Sequence, residues 1–123
     1  MKVLLVDDDP DQLYVRSVLL EKNGFGVVAA SNRSTALEVA QAEQLSCALV
    51  DLSLPSEQDG LALIRDLKAQ SPALPIVLLT GKRARLLARL PEMRLVNQIV
   101  EKGSASHDLL RKLREIRDGQ TPH

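Results

Sequence analysis

Five polar residues suited to phosphate chemistry lie at or just after the end of a short apolar run. They are Asp7, Asp8, Asp51, Thr80 and Lys102. The runs occupy residues 3–6, 47–50, 76–79 and 96–100. If these runs are parallel strands of one sheet, their carboxyl ends share the edge where open α/β sheets bind ligands. Three carboxylates, a hydroxyl and an ammonium at one edge would suit a hard divalent cation and a phosphoryl group.

The three carboxylates would repel one another strongly if no cation lay between them. At roughly 4 Å and an effective dielectric constant near 20, each pair repels by about 4 kcal/mol. Magnesium reverses that sign, because it takes oxygen ligands while keeping several waters. An aspartate is already ionised at neutral pH, so it can attack phosphorus without a general base. The pattern therefore indicates magnesium-assisted phosphoryl transfer to an aspartate.

Strand and helix patterns alternate along the chain. A further strand is predicted over residues 26–30, and helices are predicted over residues 10–22, 34–43 and 106–118, with another after Asp59-Gly60 that faces Leu63, Ile64 and Leu67 inward. Asp9 should cap the first helix and Asp59 the third. The alternation predicts an α/β fold, a doubly wound parallel sheet with helices on both faces.

Two helices carry predictions about which side chains face the core. The first helix has an expected apolar stripe of Val15, Val18 and Leu19. In the region between the fourth and fifth strands, the residues expected to face mostly inward are Leu86, Leu87 and Leu90. Pro91 should break any helix there, because it lacks a backbone donor. We therefore expect the fourth helix to be irregular.

Composition is that of one globular domain. The chain has 123 residues, of which 45% are apolar and 26% charged. Its apolar runs are too short to cross a bilayer, and Asp7 ends the apolar start before an export signal could form. Cys47 is the single cysteine, so no internal disulfide is possible and a reducing cytoplasm is expected. We therefore predict a cytoplasmic protein without membrane association.

Basic residues concentrate in the second part of the chain. Residues 1–81 carry 6 basic and 11 acidic residues, whereas residues 82–123 carry 10 basic and 5 acidic ones. One short stretch holds Lys82, Arg83, Arg85, Arg89 and Arg94. A helix would place Lys82, Arg85 and Arg89 on one face, which could bind an acidic protein or simply face solvent. We expect no direct binding of nucleic acid, because no helix-turn-helix segment is found.

Four short motifs follow one another in a fixed order. They are Val6-Asp7-Asp8-Asp9-Pro10, Val50-Asp51-Leu52-Ser53-Leu54-Pro55 with Asp59-Gly60, Leu79-Thr80-Gly81, and Glu101-Lys102. Together, at these spacings, they resemble the response-regulator receiver domain of two-component signalling. The resemblance implies a flavodoxin-like fold with five strands in the order 2-1-3-4-5. It covers residues 1–118, and residues 119–123 are read as a frayed tail or the start of a linker.

The resemblance also implies roles for the site residues. Asp51 would accept a phosphoryl group from a sensor histidine kinase or a phosphotransfer protein. The Mg²⁺ ligands would be Asp7, Asp8, Asp51 and the backbone carbonyl of Ser53. Thr80 would bond the phosphoryl group in the active state, and Lys102 would pair with it. Such a domain catalyses only its own phosphorylation and dephosphorylation, so we predict no enzyme in the usual sense.

Several features depart from the family pattern, mostly on the output side. Three residues separate Pro55 from Asp59, where two are common. Gly103 follows Lys102 in place of the usual proline after a cis bond, and a cis bond without proline costs about 3–4 kcal/mol. A trans loop is therefore favoured. Ile99 stands where a tyrosine or phenylalanine is usual, so the aromatic switch is missing and the output is expected to be atypical.

Two other functions stay open. A non-switching receiver, acting as a constitutive docking or dimerisation module, fits Ile99 and Gly103, and its partner could be a second copy of the chain. A phosphatase of the haloacid-dehalogenase kind would use an Asp-x-Asp motif, which Asp7 and Asp9 supply. However, Asp11 stands where that family has threonine or valine. Phosphate-dependent partner binding would favour a switching receiver, and turnover of a phosphomonoester would favour the phosphatase.

Overall fold

The computed structural model describes residues 1–82, 84–103 and 106–119, and contains one sheet of five parallel strands in the order β2-β1-β3-β4-β5. The strands are β1 Lys2–Val6, β2 Gly26–Ala30, β3 Cys47–Asp51, β4 Ile76–Thr80 and β5 Gln98–Glu101. The helices are α1 Pro10–Lys22, α2 Arg33–Ala42, α3 Glu57–Gln70, α4 Ala84–Leu87 and α5 Ser106–Arg117, with a 3-10 turn at Pro91–Leu95. The predicted flavodoxin-like fold and strand order are confirmed.

The sheet is buried on both faces, because alternate residues of each strand point to opposite sides. Leu4, Ala48 and Ile76 lie side by side in the register and face one core, which α3 completes with Leu63, Ile64 and Leu67. Residues of the opposite parity face a second core, which α5 completes with Leu109, Leu110 and Leu113. Cys47 lies in this second core, and burial raises the pKa of its thiol to about 12.

Helix α1 matches the predicted apolar stripe only in part, because Leu19 packs against the second core but Val15 does not. Val15 is 60% exposed, so the expected stripe is wrong at that position. Leu20 is fully buried and Leu13 packs against the second core. The partly buried Arg16 and Ser17 lie between them at helical spacing. The sequence analysis missed this inward-facing stripe, because a charged residue and a serine interrupt its apolar pattern.

Asp9 caps α1 as predicted, but Asp59 does not cap α3. Asp9 accepts hydrogen bonds from the backbone N–H groups of Asp11 and Gln12. At α3 the capping residue is Ser56, which accepts from the Asp59 N–H at 3.3 Å and donates its hydroxyl to Asp59 at 2.7 Å. The Ser56 oxygen thus accepts the bond from the third helical N–H, which is the bond that a capping side chain makes. The assignment to Asp59 was therefore three residues late.

Gly60 lies where α3 crosses the loop after β3. A Cβ atom at this position would meet the backbone carbonyl oxygen of Leu52 at 2.1 Å. Since that neighbour is backbone, it cannot move aside as a flexible side chain could. The absence of a side chain at Gly60 therefore lets α3 lie directly against the loop that follows Asp51.

The segment between β4 and β5 is irregular, as predicted. Helix α4 has only four residues, and a 3-10 turn beginning at Pro91 follows it. Leu87 is buried as expected, but Leu86 is 63% exposed, so its inward orientation was wrong. A one-turn helix can bury only one narrow stripe, which leaves the neighbouring position in solvent.

Two predictions fall partly outside the residues that the structure describes. Arg83 belongs to the basic stretch but is not among them, and residues 120–123 of the expected tail also lie outside. The boundary at residue 118 stays a prediction. Within residues 1–82, 84–103 and 106–119, no helix combines the length and the apolar character needed to cross a membrane.

Candidate functional site

The carboxyl ends of the strands bring the predicted site residues together. Asp7 follows β1, Asp51 ends β3, Thr80 ends β4, and Lys102 follows β5. Asp7 and Asp51 are 1% and 3% exposed, and Thr80 is buried as well, whereas Asp8 is exposed. Parallel pairing from β1 through β3 and β4 to β5 places these ends at one edge of the sheet. The convergence expected from the sequence is therefore present.

Asp51 is held from both of its carboxylate oxygens. Its Oδ2 accepts a hydrogen bond from the Lys102 ammonium at 2.9 Å. Its Oδ1 accepts from the Ser53 backbone N–H at 3.1 Å and from the Ser53 hydroxyl at 2.9 Å. Burial opposes ionisation, but the Lys102 ammonium and the two Ser53 donors outweigh it and hold the pKa of Asp51 below its usual value. Asp51 is therefore a carboxylate at neutral pH.

Asp7 has a different environment and the opposite shift. Its Oδ1 accepts from the Asp9 backbone N–H at 2.9 Å, and its Oδ2 pairs with the Arg16 guanidinium at 2.5 Å. Burial, and then the nearby charge of Asp51, raise the pKa of Asp7 above its usual value, although the Asp9 N–H and Arg16 act against them. The two buried carboxylates of the site therefore differ in how readily they ionise.

Arg16 is a site residue that the sequence analysis missed. It reaches Asp7 from the inward face of α1, and its side chain is only 13% exposed. The available signal was its helical spacing from Leu13 and Leu20, which places a charged residue on an apolar stripe. Such a residue needs a buried partner of opposite charge, because burying an isolated charge is costly.

Lys102 approaches Asp51 along a trans backbone. The structure contains no cis peptide bond among the described residues, which include Lys102 and Gly103. The Lys102 backbone N–H donates to the Thr80 carbonyl oxygen at 2.7 Å and extends the pairing of β4 with β5 by one residue. From this trans backbone the Lys102 ammonium reaches Asp51.

A cavity of about 220 Å³ opens beside Thr80, and Lys82 lies on its rim. The Thr80 hydroxyl oxygen accepts from the Lys82 backbone N–H at 3.0 Å. The Lys82 ammonium pairs with the Glu57 carboxylate, at the start of α3, at 2.5 Å. Lys82 therefore lies at the entrance of the site, in the loop before α4.

The predicted basic face on a fourth helix is wrong in its geometry. Lys82 precedes α4 and Arg89 follows it, so only Arg85 lies in the helix. Because the helix is a single turn, the three side chains do not share a helical face. Ile99, the atypical switch position, packs against the first core and lines a separate groove with Arg89, Met93 and Arg94.

The donor set suits a divalent cation. Asp7, Asp8 and Asp51 each place a carboxylate oxygen within 4.8 Å of the others. Carboxylate oxygens are hard ligands of the kind that magnesium takes, usually with several waters. One member of the cluster is exposed, so water can reach the cluster. The role of the Ser53 carbonyl as a further ligand stays a prediction.

Comparison with known proteins identifies relatives of the whole domain. The family model for the response regulator receiver domain matches residues 3–114. The chain is 31% identical over 83 residues to protein PilH of Pseudomonas aeruginosa, covering 66% of this chain and 68% of PilH. It is 33% identical over 82 residues to the probable transcriptional regulatory protein TcrX of Mycobacterium tuberculosis, covering 67% of this chain. The chain spans only 35% of the length of TcrX and 18% of the regulator GlrR of Escherichia coli.

Solved structures share the fold along nearly the whole chain. A sensor protein from Polaromonas superposes with a TM-score of 0.86 at 29% identity, over 98% of each chain. A CheY-like receiver domain from Methanospirillum hungatei superposes with a TM-score of 0.82 at 26% identity, over 97% of this chain and 94% of that one. The protein TrrA of Thermotoga maritima, solved with Mg²⁺ and BeF, shares the fold at 21% identity, with a TM-score of 0.83 over 94% and 97% of the two chains.

Proposed function

Because the chain belongs to the response regulator receiver domain family, we propose that Asp51 accepts a phosphoryl group and that the chain acts as a phosphorylation-dependent signalling receiver. Receiver domains take this group from histidine kinases or phosphotransfer proteins, and they are signalling modules, not enzymes in the usual sense. The observation that carries the proposal is the setting of Asp51. It is an ionised carboxylate between a fixed ammonium and two other aspartates.

Asp51 supplies the nucleophile. One of its carboxylate oxygens forms the new bond to phosphorus while the bond from phosphorus to the donor imidazole nitrogen breaks, and the imidazole leaves with the electron pair. No proton has to be removed first, because Asp51 is already ionised. The Ser53 N–H and hydroxyl orient the carboxylate, and the Lys102 ammonium lies where it can neutralise charge on the transferred oxygens.

Asp7, Asp8 and Asp51, together with the backbone carbonyl of Ser53, would hold a magnesium ion. When bound, magnesium supplies positive charge that stabilises the transferred phosphoryl group. Asp7 accepts hydrogen bonds from the Asp9 N–H and from Arg16, so both of its oxygens have protein partners before a cation binds. Exposed Asp8 is the more accessible ligand, and we expect it to contribute most to capture of the ion.

Thr80 and Ile99 would relay phosphorylation of Asp51 to the loop before α4. The Thr80 hydroxyl oxygen accepts one bond from Lys82 and still carries its own proton, which it could donate to a phosphoryl oxygen on Asp51. Movement of Thr80 toward Asp51 would break the bond to Lys82 and shift the loop before α4. Ile99 would then only repack, since it has no hydroxyl or ring to reorient.

The proposed output surface is the segment between β4 and β5. Arg85 and Arg89 are exposed, and Arg89 and Arg94 line a groove of about 590 Å³ with apolar Leu90, Met93 and Ile99. Basic side chains around an apolar groove favour an acidic protein partner, whose association rate should fall as salt rises. Lys82 is exposed beside this surface, where its ammonium pairs with Glu57.

A constitutive docking or dimerisation module is the second candidate. The observation that favours it is the exposed Leu86 on α4. Exposed leucines also occur on ordinary surfaces, so Leu86 alone does not decide between the two. Partner binding or self-association that is equal with and without phosphate would favour this candidate.

Phosphorylation can be tested directly by intact-mass measurement. In the presence of magnesium and acetyl phosphate, the wild-type mass should rise by one phosphoryl group, and Asp51→Asn should abolish the rise. Asp66→Asn is a matched control, because Asp66 is a surface acid on α3 that pairs with Arg33. Equal labelling of Asp51→Asn and wild type would overturn the assignment.

A further inference from the structure

Arg16 gives the acidic cluster a counter-ion from within the protein. Its Nη1 atom lies 2.5 Å from Asp7 Oδ2, and the two side chains are 13% and 1% exposed. A pair so well shielded from water attracts more strongly than a pair on the surface. Asp7 also accepts the Asp9 N–H through its other oxygen, so both oxygens have partners in the metal-free protein.

The location of Arg16 distinguishes it from an ordinary surface arginine. It occupies the inward stripe of α1, between Leu13 and Leu20, where an apolar residue would be expected. A charge at that position costs desolvation free energy unless a partner of opposite sign compensates for it. Asp7 is the partner that the structure provides. The pair is therefore a specific feature of how α1 packs against the site.

The charges of the cluster favour competition between Arg16 and a metal ion. The three carboxylates carry three negative charges, and Arg16 and Lys102 carry two positive ones, so the cluster has a net charge of −1. Without Arg16 its net charge would be −2. A divalent cation is bound more tightly by the more negative cluster. The guanidinium also occupies Oδ2, one of the two oxygens that Asp7 could offer to a cation.

We propose that Arg16 is a built-in competitor of the divalent cation at Asp7, and that it thereby sets the magnesium concentration at which the site fills. This inference rests on the proposed function, because it requires magnesium to bind at Asp7, Asp8 and Asp51. Arg16 acts on the cation through Asp7, so it is a positioning residue. Lys102 differs, because it pairs with Asp51 and is assigned to the phosphoryl group.

Magnesium titration by calorimetry tests the competition without measuring phosphorylation. Arg16→Gln should bind Mg²⁺ about tenfold more tightly than wild type, because a nearby positive charge is removed. Lys22→Gln makes the same change in charge at the exposed last turn of the same helix, and should stay within about twofold of wild type. Affinity of Arg16→Gln equal to or weaker than that of wild type would overturn the inference.

A measurement on wild type keeps the inference testable even if Arg16→Gln fails to fold. The NMR signal of the Arg16 Nε–H group should shift as Mg²⁺ is added, and the shift should saturate together with the calorimetric binding curve. A filled site with an unmoved Arg16 signal would contradict the competition.

An Asp8→Asn variant separates this inference from the proposed function. If wild type binds Mg²⁺ and Asp8→Asn does not, the metal site stands, and the Arg16 result then decides the inference alone. If neither wild type nor Arg16→Gln binds Mg²⁺, both the metal site and the competition are wrong.

Discussion

The carboxyl edge of the sheet and the segment between β4 and β5 are stabilised in different ways. At the edge, strands β3 and β4 are buried along their whole length, and Asp51 has partners on both oxygens. The segment has a single-turn helix, a 3-10 turn and an exposed Leu86. Few regular backbone hydrogen bonds and limited burial give low local stability. A chemical site on rigid strand ends can thus adjoin a segment that changes its packing at little cost.

The largest expected effect on stability comes from a methyl group added where α3 contacts the loop that follows Asp51. Gly60→Ala would place a Cβ atom 2.1 Å from the Leu52 carbonyl oxygen, so α3 must move away from the loop that follows Asp51. We expect a loss of about 3 kcal/mol in the free energy of unfolding, measured by urea denaturation. Gly81→Ala, in the loop before α4, has nothing within 4 Å of the added atom and should change stability much less. Equal losses of stability in the two glycine variants would contradict the difference in packing between these two positions.

A smaller effect is expected inside the segment between β4 and β5. Leu87→Ala removes its one fully buried leucine and should cost about 2 kcal/mol, at the low end for core leucines because a single turn can partly collapse. Leu86→Ala, at the neighbouring exposed position, should stay within about 0.5 kcal/mol of wild type. Urea denaturation of both variants measures the difference. A cost at Leu86 as large as that at Leu87 would mean that Leu86 is buried in solution, for example between two copies of the chain.

The pH dependence of stability distinguishes the two buried carboxylates of the edge. The pKa of Asp51 is lowered, so its contribution to stability is present above the ordinary value of 3.8 and is lost as the pH falls through the lowered pKa. The pKa of Asp7 is raised, so its contribution is present below 3.8 and is lost as the pH rises through the raised pKa. In metal-free buffer, Asp7→Asn should therefore gain stability relative to wild type as the pH rises above 3.8.

Asp51→Asn should behave oppositely, because its deficit relative to wild type should shrink as the pH falls below 3.8. Urea denaturation at a series of pH values, with a chelator present, measures both differences. The same sign of pH dependence in the two variants would contradict the assigned environments.

The site could be predicted from the sequence because parallel strands of one sheet have their carboxyl ends at the same edge. Four site residues each follow an apolar run and lie at the same edge of the sheet: Asp7, Asp51, Thr80 and Lys102. Arg16 could not be found in this way, because it reaches the site from the side of a helix. The predicted apolar stripe of α1 did not include it, because a charged residue does not fit an apolar pattern.

The other errors arose where local signals compete. Ser56 and Asp59 are both good caps, and only the fold decides that the chain turns into α3 at Ser56. A continuous helix would place Leu86, Leu87 and Leu90 on one inward-facing stripe, but α4 ends at Leu87. Predictions that depend on strand ends were thus more robust than those that depend on the length of a short helix.

Amide hydrogen exchange on phosphorylated and unphosphorylated protein is the measurement that tests the account most directly. Mass spectrometry would follow wild type with and without acetyl phosphate in magnesium, with Asp51→Asn as the control for effects of the reagent. Phosphorylation should change exchange in the loops that contain Ser53, Gly81 and Lys102, and also across residues 84–100, because Thr80 joins the site to that segment through Lys82. Changes confined to the site loops would contradict a switch through residues 84–100 and would favour the docking module.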